Sequence, residues 1–374
     1  MDLPRLALVG ICGCGFSGPP GATGEPVDAA PDIDAPITID APVEPNARVR
    51  TVTIGAVPIG TAVQDAVVPV QLVNDADYIA NSADDGLDLL FQLADGTVLA
   101  HDIEAREKAG GNLIVWVRLP TLEPAGATFE MFYGDGNVAP ASGNAWANLA
   151  DLVFHFERAS GVLPDHSPSN TPGTFNANGG TIAATAGQVG AGVDLTQSFI
   201  NLPDSNAADR GDQSFALSFW FSQDATVGGT DLGWHKGGGT GTGYEVSLGT
   251  NNWRVNIDDG NGLETAVFGT EAVLGGAGFV HLVLVVDRDN NDLIVYTNGV
   301  EADSSSFGGG FGSVSNTVIG RVGGQNEQID GDFDELRAYT RLLSADYIAA
   351  DHALATVPNI VTVGAAGAGN YPGT

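Results

Sequence analysis

From residue 48 onward, short apolar runs alternate with polar turns along the chain. Five such runs, rich in Val, Ile, Leu and aromatic residues, lie within residues 48–147: Val49–Ile54, Val67–Leu72, Leu87–Leu93, Leu113–Leu119 and Thr128–Tyr133. Clusters of Gly, Asp, Asn and Ser separate the runs, and no long 3.6-residue period interrupts them. This pattern is typical of an antiparallel β-sandwich.

Residues 148–355 continue the same alternation and add one helix. Asn298-Gly299 lies between two apolar runs and predicts a two-residue β-hairpin turn. Ser344 is a good N-cap for a short helix over about Ala345–Ala355. Residues 356–374 contain one further strand-like run and a tail that we expect to fray.

The chain before residue 48 reads as a leader and a linker. Residues 15–47 repeat an Asp-Ala-Pro theme. Because proline fixes φ and the acidic side chains repel one another, we expect a disordered, extended, acidic linker. The predicted fold class is therefore all-β, with two consecutive antiparallel β-sandwiches, residues 48–147 and residues 148–355, after this linker.

Residues 1–14 have the features of an export signal. Arg5 precedes the apolar run Leu6–Ile11, which is too short to span a bilayer. Ile11-Cys12-Gly13-Cys14 resembles a bacterial lipobox, and this resemblance implies lipidation of Cys14. Cleavage without lipidation, or two thiols without a role, are the alternatives. The expected location is the cell surface or outer membrane, as a lipoprotein, or the extracellular space, with membrane contact only through the anchor.

The charge balance excludes one class of partner. The chain has 14 Lys+Arg against 46 Asp+Glu, a formal net charge of −32. A nucleic-acid-binding protein needs a basic surface that neutralises phosphates. We therefore expect no nucleic acid among the partners. We also expect the protein to act as a monomer.

Five motifs occur in order within residues 48–147: residues 85–91 (DGLDLLF), 95–96 (DG), 101–104 (HDIE), 115–120 (VWVRLP) and 131–134 (MFYG). Together they resemble the family called domain of unknown function 2341. The resemblance implies a β-sandwich of bacterial cell-surface proteins, and it implies no known chemistry.

A second set of motifs lies in residues 148–355. It comprises the Trp220-Phe221 strand, the Tyr296-Thr-Asn-Gly299 hairpin and the Asp334-Glu-Leu-Arg337 strand. This set resembles the laminin-G-like, concanavalin-A-like jelly roll of bacterial surface proteins.

The jelly-roll resemblance also implies a calcium site. In members that bind calcium, an Asp near the first Asp-x-Ser turn and the Asp of the closing Asp-Glu strand often converge. The matching residues here are Asp165 and Asp334, with Asn170 as a further ligand. Carboxylate and amide oxygens suit this hard cation. The alternative is a metal-free turn and strand.

Three aromatic residues flank the Gly-rich segment 237–243. Trp234, Tyr244 and Trp253 are candidates for stacking on a sugar ring. The alternative is that these rings fill the sandwich core.

One segment permits an enzymatic interpretation. Asp330, Asp332 and Asp334 alternate, so a strand would present all three carboxylates on one face. A retaining glycoside hydrolase uses two such carboxylates about 5 Å apart. The chain contains no Gly-x-Ser-x-Gly elbow, phosphate-binding loop or zinc spacing, and the six histidines are scattered.

The sequence therefore favours a tethered, non-enzymatic binding or adhesion protein. Its distal jelly roll is expected to recognise a glycan or an extracellular protein, with calcium as a possible aid. The alternatives are a jelly-roll glycoside hydrolase and a purely structural spacer of the envelope.

Overall fold

The structure is a computed structural model. It describes residues 47–84, 86–134, 143–202, 213–223, 231–237, 242–249, 252–259, 263–268, 278–306, 320–322 and 330–369. The predicted signal segment, Cys14 and the linker lie outside the described residues, so the interpretations that concern them stay predictions.

The first part of the chain forms seven strands and a short helix, α1 (Ala76–Asn81). The strands are β1 (Arg48–Ile54), β2 (Val63–Leu72), β3 (Leu90–Gln92), β4 (Val98–Leu99), β5 (His101–Glu107), β6 (Asn112–Leu122) and β7 (Ala127–Tyr133). A single 3-10 turn, Lys108–Gly110, separates β5 from β6.

The rest of the described chain is again mostly strands, with one helix, α2 (Ala345–Thr356). The strands are β8 (Ala150–Phe154), β9 (Val162–Leu163), β10 (Gly173–Asn176), β11 (Thr181–Ala186), β12 (Ala191–Thr196), β13 (Phe199–Asn201), β14 (Phe215–Gln223), β15 (Asp231–Gly237), β16 (Thr242–Gly249), β17 (Asn252–Asp259), β18 (Leu263–Phe268), β19 (Val280–Asp287), β20 (Asp292–Thr297), β21 (Val300–Ser306), β22 (Gly320–Val322), β23 (Asp330–Tyr339), β24 (Val361–Val363) and β25 (Gly367–Ala368).

The first sandwich packs a six-stranded sheet against a three-stranded sheet. The larger sheet has the order β24-β1-β7-β3-β4, with β25 also paired to β1, and the smaller sheet has the order β2-β6-β5. β24 and β25, the last two strands described, thus belong to the same sheet as β1. Val52 faces Val363 across this antiparallel pair.

The jelly roll is made of two larger sheets. The sheet that we call the inner sheet has the order β11-β12-β23-β14-β19-β20-β21, with β8 also paired to β23. The outer sheet has the order β18-β17-β16-β15-β22-β13-β10-β9. Every strand pair described is antiparallel, which confirms the predicted all-β class. The hairpin at Asn298-Gly299 is also confirmed, because both residues have positive φ, as a type I′ turn requires.

The inner sheet separates two large apolar cores, one on each of its faces. One core lies between the two sheets of the jelly roll and includes Phe219 and Phe333. The other core fills the first sandwich and extends to the opposite face of the inner sheet, through Val283 and Val285. Helix α2 belongs to this second core, where Ile348 is buried.

The two sandwiches are joined into one body. Residues Glu44–Thr374 form a single compact unit. The physical reason is that strands, helix α2 and the face of the inner sheet all contribute to the shared apolar core. The strand that we predicted after residue 355 is part of this arrangement, as β24.

Candidate functional site: a buried ionic cluster between the sandwiches

Asp165 is buried and makes hydrogen bonds with all of its acceptor positions. Its Oδ1 accepts the backbone N–H groups of Val153 and Ser167, both at 2.9 Å. Its Oδ2 accepts the Ser167 hydroxyl at 2.9 Å and the Thr171 N–H at 2.7 Å. A carboxylate has about four lone-pair positions, and four donors occupy them here. Asp165 thus holds its turn together and has no free position for calcium.

Asp334 lies in different surroundings from Asp165. It is fully buried, and its Oδ2 accepts the Val189 N–H at 2.9 Å while Oδ1 has no hydrogen-bond partner. Burial, followed by the charge of Glu335, raises the pKa of Asp334 well above its usual range. Asn170 is an exposed turn residue with positive φ. The structure therefore does not support the predicted set of Asp165, Asn170 and Asp334 as one calcium site.

The predicted aromatic site is only partly described. Tyr244 is 2% exposed, and its ring centroid lies 5.0 Å from that of Phe215 in the jelly-roll core. Its ring cannot stack on a sugar, so the prediction for Tyr244 is wrong. Trp234 lies in β15 and Trp253 in β17, and their side chains lie outside the described residues.

The hydrolase interpretation needs an open cleft above Asp330, Asp332 and Asp334. All three lie in β23, as the alternating pattern predicts. Asp334 is completely buried against the turn that contains Val189, so substrate cannot reach it. The geometry does not favour these residues as a catalytic set.

Instead, a group of ionisable side chains is buried where the first sandwich meets the inner sheet. We call this group the interface cluster: Asp102, Glu104, His155, His166, Glu335 and Arg337. The first two lie on β5 of the first sandwich, and the last two lie on β23 of the jelly roll. The histidines follow β8 and β9.

An irregularity in β23 brings two acidic neighbours to the same face. The pairing of β14 with β23 shifts register between Ser218 and Trp220, and Glu335 has positive φ at this point. Such a bulge inserts one residue and breaks the alternation of side chains. Phe333 and Leu336 lie in the jelly-roll core, so Asp334 and Glu335 both face the first sandwich.

His155 lies between two carboxylates. Its Nδ1 is 2.8 Å from Glu335 Oε1, and its Nε2 is 3.0 Å from Asp102 Oδ2. The ring stacks on Trp116 with centroids 5.5 Å apart and planes 7° from parallel. Burial lowers the pKa of His155, but Glu335 and Asp102 outweigh this effect and hold it well above its usual value.

His166 contacts the same aspartate from the other side. Its Nδ1 is 3.0 Å from Asp102 Oδ1, and its Nε2 is 3.7 Å from Glu157 Oε1. Burial lowers the pKa of His166, yet the hydrogen bond to Asp102 and the nearby Glu157 carboxylate raise it to about 9. Asp102 also accepts the Trp146 indole N–H at 3.0 Å, so one carboxylate holds three donors.

Arg337 contacts the first sandwich through two tryptophan rings, and it pairs with carboxylates of β23 and helix α2. Its guanidinium lies 4.4 Å from the Trp116 ring centroid and 5.0 Å from that of Trp146. It donates to Glu335 Oε2 at 2.7 Å and to Asp351 Oδ1 at 2.9 Å. The side chain is almost completely buried.

Glu104 lies against the jelly-roll turn that contains Val189 and Gly190. Its Oε2 accepts the Trp116 indole N–H at 2.8 Å, while Oε1 is buried without a hydrogen-bond partner. The turn approaches so closely that a Cβ at Gly190 would overlap with Glu104. Burial and the charge of Glu335 raise the pKa of Glu104 to about 8, which favours its protonated form at neutral pH.

Within the described ranges, two sets of side chains have the spacing that a metal ion needs. One set is Asp102, His155 and His166, and the other is Glu104, His155 and Glu335. In each set, one ligand atom per residue lies within 4.8 Å of the others. Histidine and carboxylate ligands suit divalent transition metals.

Sequence reasoning missed this cluster. His155 and His166 lie in the motifs at the start of the jelly roll, and Glu335 and Arg337 lie in its closing strand. The available signal was the HDIE motif at residues 101–104, which places two carboxylates on one strand face.

None of the described helices is long and apolar enough to cross a bilayer.

Comparisons with known proteins concern the jelly roll. No curated protein sequence matches the chain. Among solved structures, the binding domain of Paraclostridial Mosquitocidal Protein 1 is 17% identical with a TM-score of 0.46, over 54% of this chain and 51% of that one. Domain 4 of AbnA, a GH43 extracellular arabinanase from Geobacillus stearothermophilus in complex with arabinotriose, is 22% identical with a TM-score of 0.40, over 56% of this chain and 98% of that one.

The chain thus spans about half the length of the toxin domain. At these identities and TM-scores the matches do not indicate a ligand. A sequence profile gives the firmer result, because residues 194–349 match the profile of the concanavalin A-like lectin/glucanases superfamily. The chain therefore carries a concanavalin A-like jelly-roll domain over residues 194–349.

Proposed function

We propose that this chain is a non-enzymatic binding protein whose jelly roll recognises a carbohydrate or an extracellular protein. The contacts between the jelly roll and the first sandwich support this proposal. The residues that attach it to the first sandwich belong to the inner sheet, to the loops at its edge and to helix α2. The inner sheet is therefore occupied by structural contacts, which leaves recognition to the outer sheet and its loops.

The test is a binding screen on the tag-free full chain. Glycan and extracellular-protein arrays are probed with and without a chelator, because calcium assistance remains a prediction. The variants Trp234→Ala and Trp253→Ala test the two remaining aromatic candidates. Val300→Ala is the matched control, since Val300 is 69% exposed on β21 of the inner sheet.

We expect at least one tryptophan variant to bind roughly tenfold more weakly, which corresponds to about 1.4 kcal/mol. Val300→Ala should bind as the unchanged chain does. Absence of any ligand on the arrays would contradict the proposal and would favour a structural spacer. Hydrolysis of a β-glucan that Asp334→Asn abolishes would instead favour the hydrolase.

We further propose that the chain is exported and anchored by a lipid on Cys14. The lipobox-like residues 11–14 support this proposal. Expression with a labelled fatty acid should give a labelled membrane-bound protein, and Cys14→Ser should lose both the label and the membrane association. Cys12→Ser is the matched control and should keep both. Equal labelling of the two variants would contradict an anchor at Cys14.

A further inference from the structure

Two imidazole rings and one carboxylate converge at the surface-facing end of the interface cluster. His155 Nε2 and His166 Nδ1 each lie 3.0 Å from a different oxygen of Asp102. Asp102 belongs to the first sandwich, and the histidines belong to two segments of the jelly roll. Tertiary folding alone therefore creates this group.

These separations are close to those of ligands around a small divalent ion. Zinc binds nitrogen and oxygen at about 2.0–2.2 Å, so neighbouring ligand atoms of a tetrahedral site lie about 3.3 Å apart. The two observed 3.0 Å separations end on different oxygens of Asp102, and one ligand atom from each of the three residues lies within 4.8 Å of the others. Small side-chain rotations would accommodate an ion.

The surroundings of His155 have the form that metal-binding histidines require. A ligating imidazole usually donates its other N–H to a carboxylate, which fixes the ring. His155 Nδ1 has Glu335 Oε1 at 2.8 Å, whereas Glu157 Oε1, at 3.7 Å from His166 Nε2, is too far for a hydrogen bond. The carboxylate of Asp102 is itself held by the Trp146 N–H at 3.0 Å.

Acidic side chains surround the two imidazole rings. The ring centroids are only 4.5 Å apart. Asp102, Glu335 and Glu157 lie around them, and these carboxylates would balance the charge of a divalent ion. The side chains of His166 and Asp102 are 14% and 13% exposed, so solvent can deliver an ion and complete its coordination.

We propose that Asp102, His155 and His166 bind a divalent transition-metal ion of the zinc class, which links the first sandwich to the jelly roll. The role of this ion is structural, because its ligands come from both sandwiches. The proposal does not depend on what the jelly roll recognises.

The experiment uses the tag-free full chain after removal of metals with a chelator. Zn²⁺ is titrated by calorimetry, and bound metal is measured after dialysis. We expect one Zn²⁺ per chain, a higher melting temperature with Zn²⁺, and a visible spectrum of the Co²⁺ form that indicates nitrogen ligands. Asp102→Asn and His166→Gln should each weaken binding by at least tenfold.

His352→Gln is the matched control. His352 stacks on Trp220 and lies outside the three proposed ligands, so this variant should bind Zn²⁺ as the unchanged chain does. Circular dichroism of each metal-free variant shows whether it is folded. If both ligand variants fail to fold, the unchanged chain alone tests the proposal. One Zn²⁺ per chain and a Co²⁺ spectrum that indicates nitrogen ligands would support it, and the lack of either would contradict it.

Three results would overturn the proposal. The first is the absence of stoichiometric Zn²⁺ in the unchanged chain, and the second is equal binding by folded ligand variants. The third is binding of Ca²⁺ without binding of Zn²⁺, which would indicate an oxygen site elsewhere.

Discussion

At the scale of single residues, Arg337 carries the clearest energetic consequence. Its guanidinium is paired with Glu335 and Asp351 and lies against two tryptophan rings. Arg337→Met would keep much of the side-chain volume but remove the guanidinium from both carboxylates, which leaves Glu335 with His155 alone. Removal of one partner from a buried ion pair typically destabilises a protein by about 3–5 kcal/mol. We expect a loss of this size in urea unfolding.

Lys108→Met is the matched control for Arg337→Met. Lys108 pairs with Asp84 at 2.6 Å, but the Asp84 side chain is 94% exposed. Solvent screens such exposed surface pairs, so this one should contribute little to stability. If the two substitutions cost the same, the interface cluster does not hold the sandwiches together in the way we describe.

The sequence identified the right motifs but not the roles of their residues. The Asp-x-Ser turn indicates Asp165, which does organise that turn, through backbone N–H donors instead of a cation. The same carboxylate oxygen atoms can bind N–H groups or a cation, so the residue type alone does not distinguish the two roles. Nothing in the local sequence distinguishes His155 from the other five histidines. Its partners Asp102 and Glu335 are distant in sequence, and local patterns carry no information about such contacts.

At the scale of elements, a stack of three rings joins helix α2 to the inner sheet. Trp220 on β14 stacks on His281 of β19 at 4.6 Å and on His352 of α2 at 5.6 Å. His281 is fully buried and contacts the Ser218 hydroxyl at 2.8 Å. Burial lowers the pKa of His281 to about 4, although the nearby Asp351 carboxylate opposes this effect.

This stack predicts a loss of stability in acid. The unfolded chain binds a proton on His281 below about pH 6.5, and the folded chain does so only near pH 4. The unfolded state therefore binds more protons between these values, and stability falls as the pH decreases from about 6.5 to 4, by up to about 3 kcal/mol. Urea unfolding at pH 7 and pH 4.5 measures this fall.

His281→Gln supplies the comparison, because it removes the titrating group and can still contact Ser218. Its stability should change less between the two pH values than that of the unchanged chain. Identical changes would show that His281 does not contribute. His352, whose pKa burial also lowers, stays present in both proteins and cancels in the comparison.

Local elements were predicted well where the pattern is strong. The helix expected over about Ala345–Ala355 is α2, with Ser344 accepting the Tyr347 N–H as its N-cap. The run Leu113–Leu119 lies within β6. Strand partners were not predictable, because periodicity identifies a buried face without saying what covers it. The pairing of β1 with β24 and the covered face of the inner sheet are examples.

At the scale of the whole molecule, the shared core predicts a single unfolding transition. The first sandwich, helix α2 and one face of the inner sheet contribute to one apolar cluster, and the interface cluster lies beside it. Calorimetry of the full chain should therefore show one peak, with equal calorimetric and van't Hoff enthalpies. Arg337→Met should shift this peak to lower temperature without splitting it. Two separated peaks would contradict the shared core.

The pairing of the first strand with the last has a consequence for the order of folding. Thr53 and Thr362 contact each other across 309 residues of sequence. During synthesis, β1 thus lacks one neighbour until residues 361–363 have been made, and helix α2 arrives almost equally late. Contacts between distant segments form slowly, and an unpaired strand edge is prone to aggregation in the meantime. A factor that shields the first sandwich until β24 emerges would therefore improve the yield of folded protein.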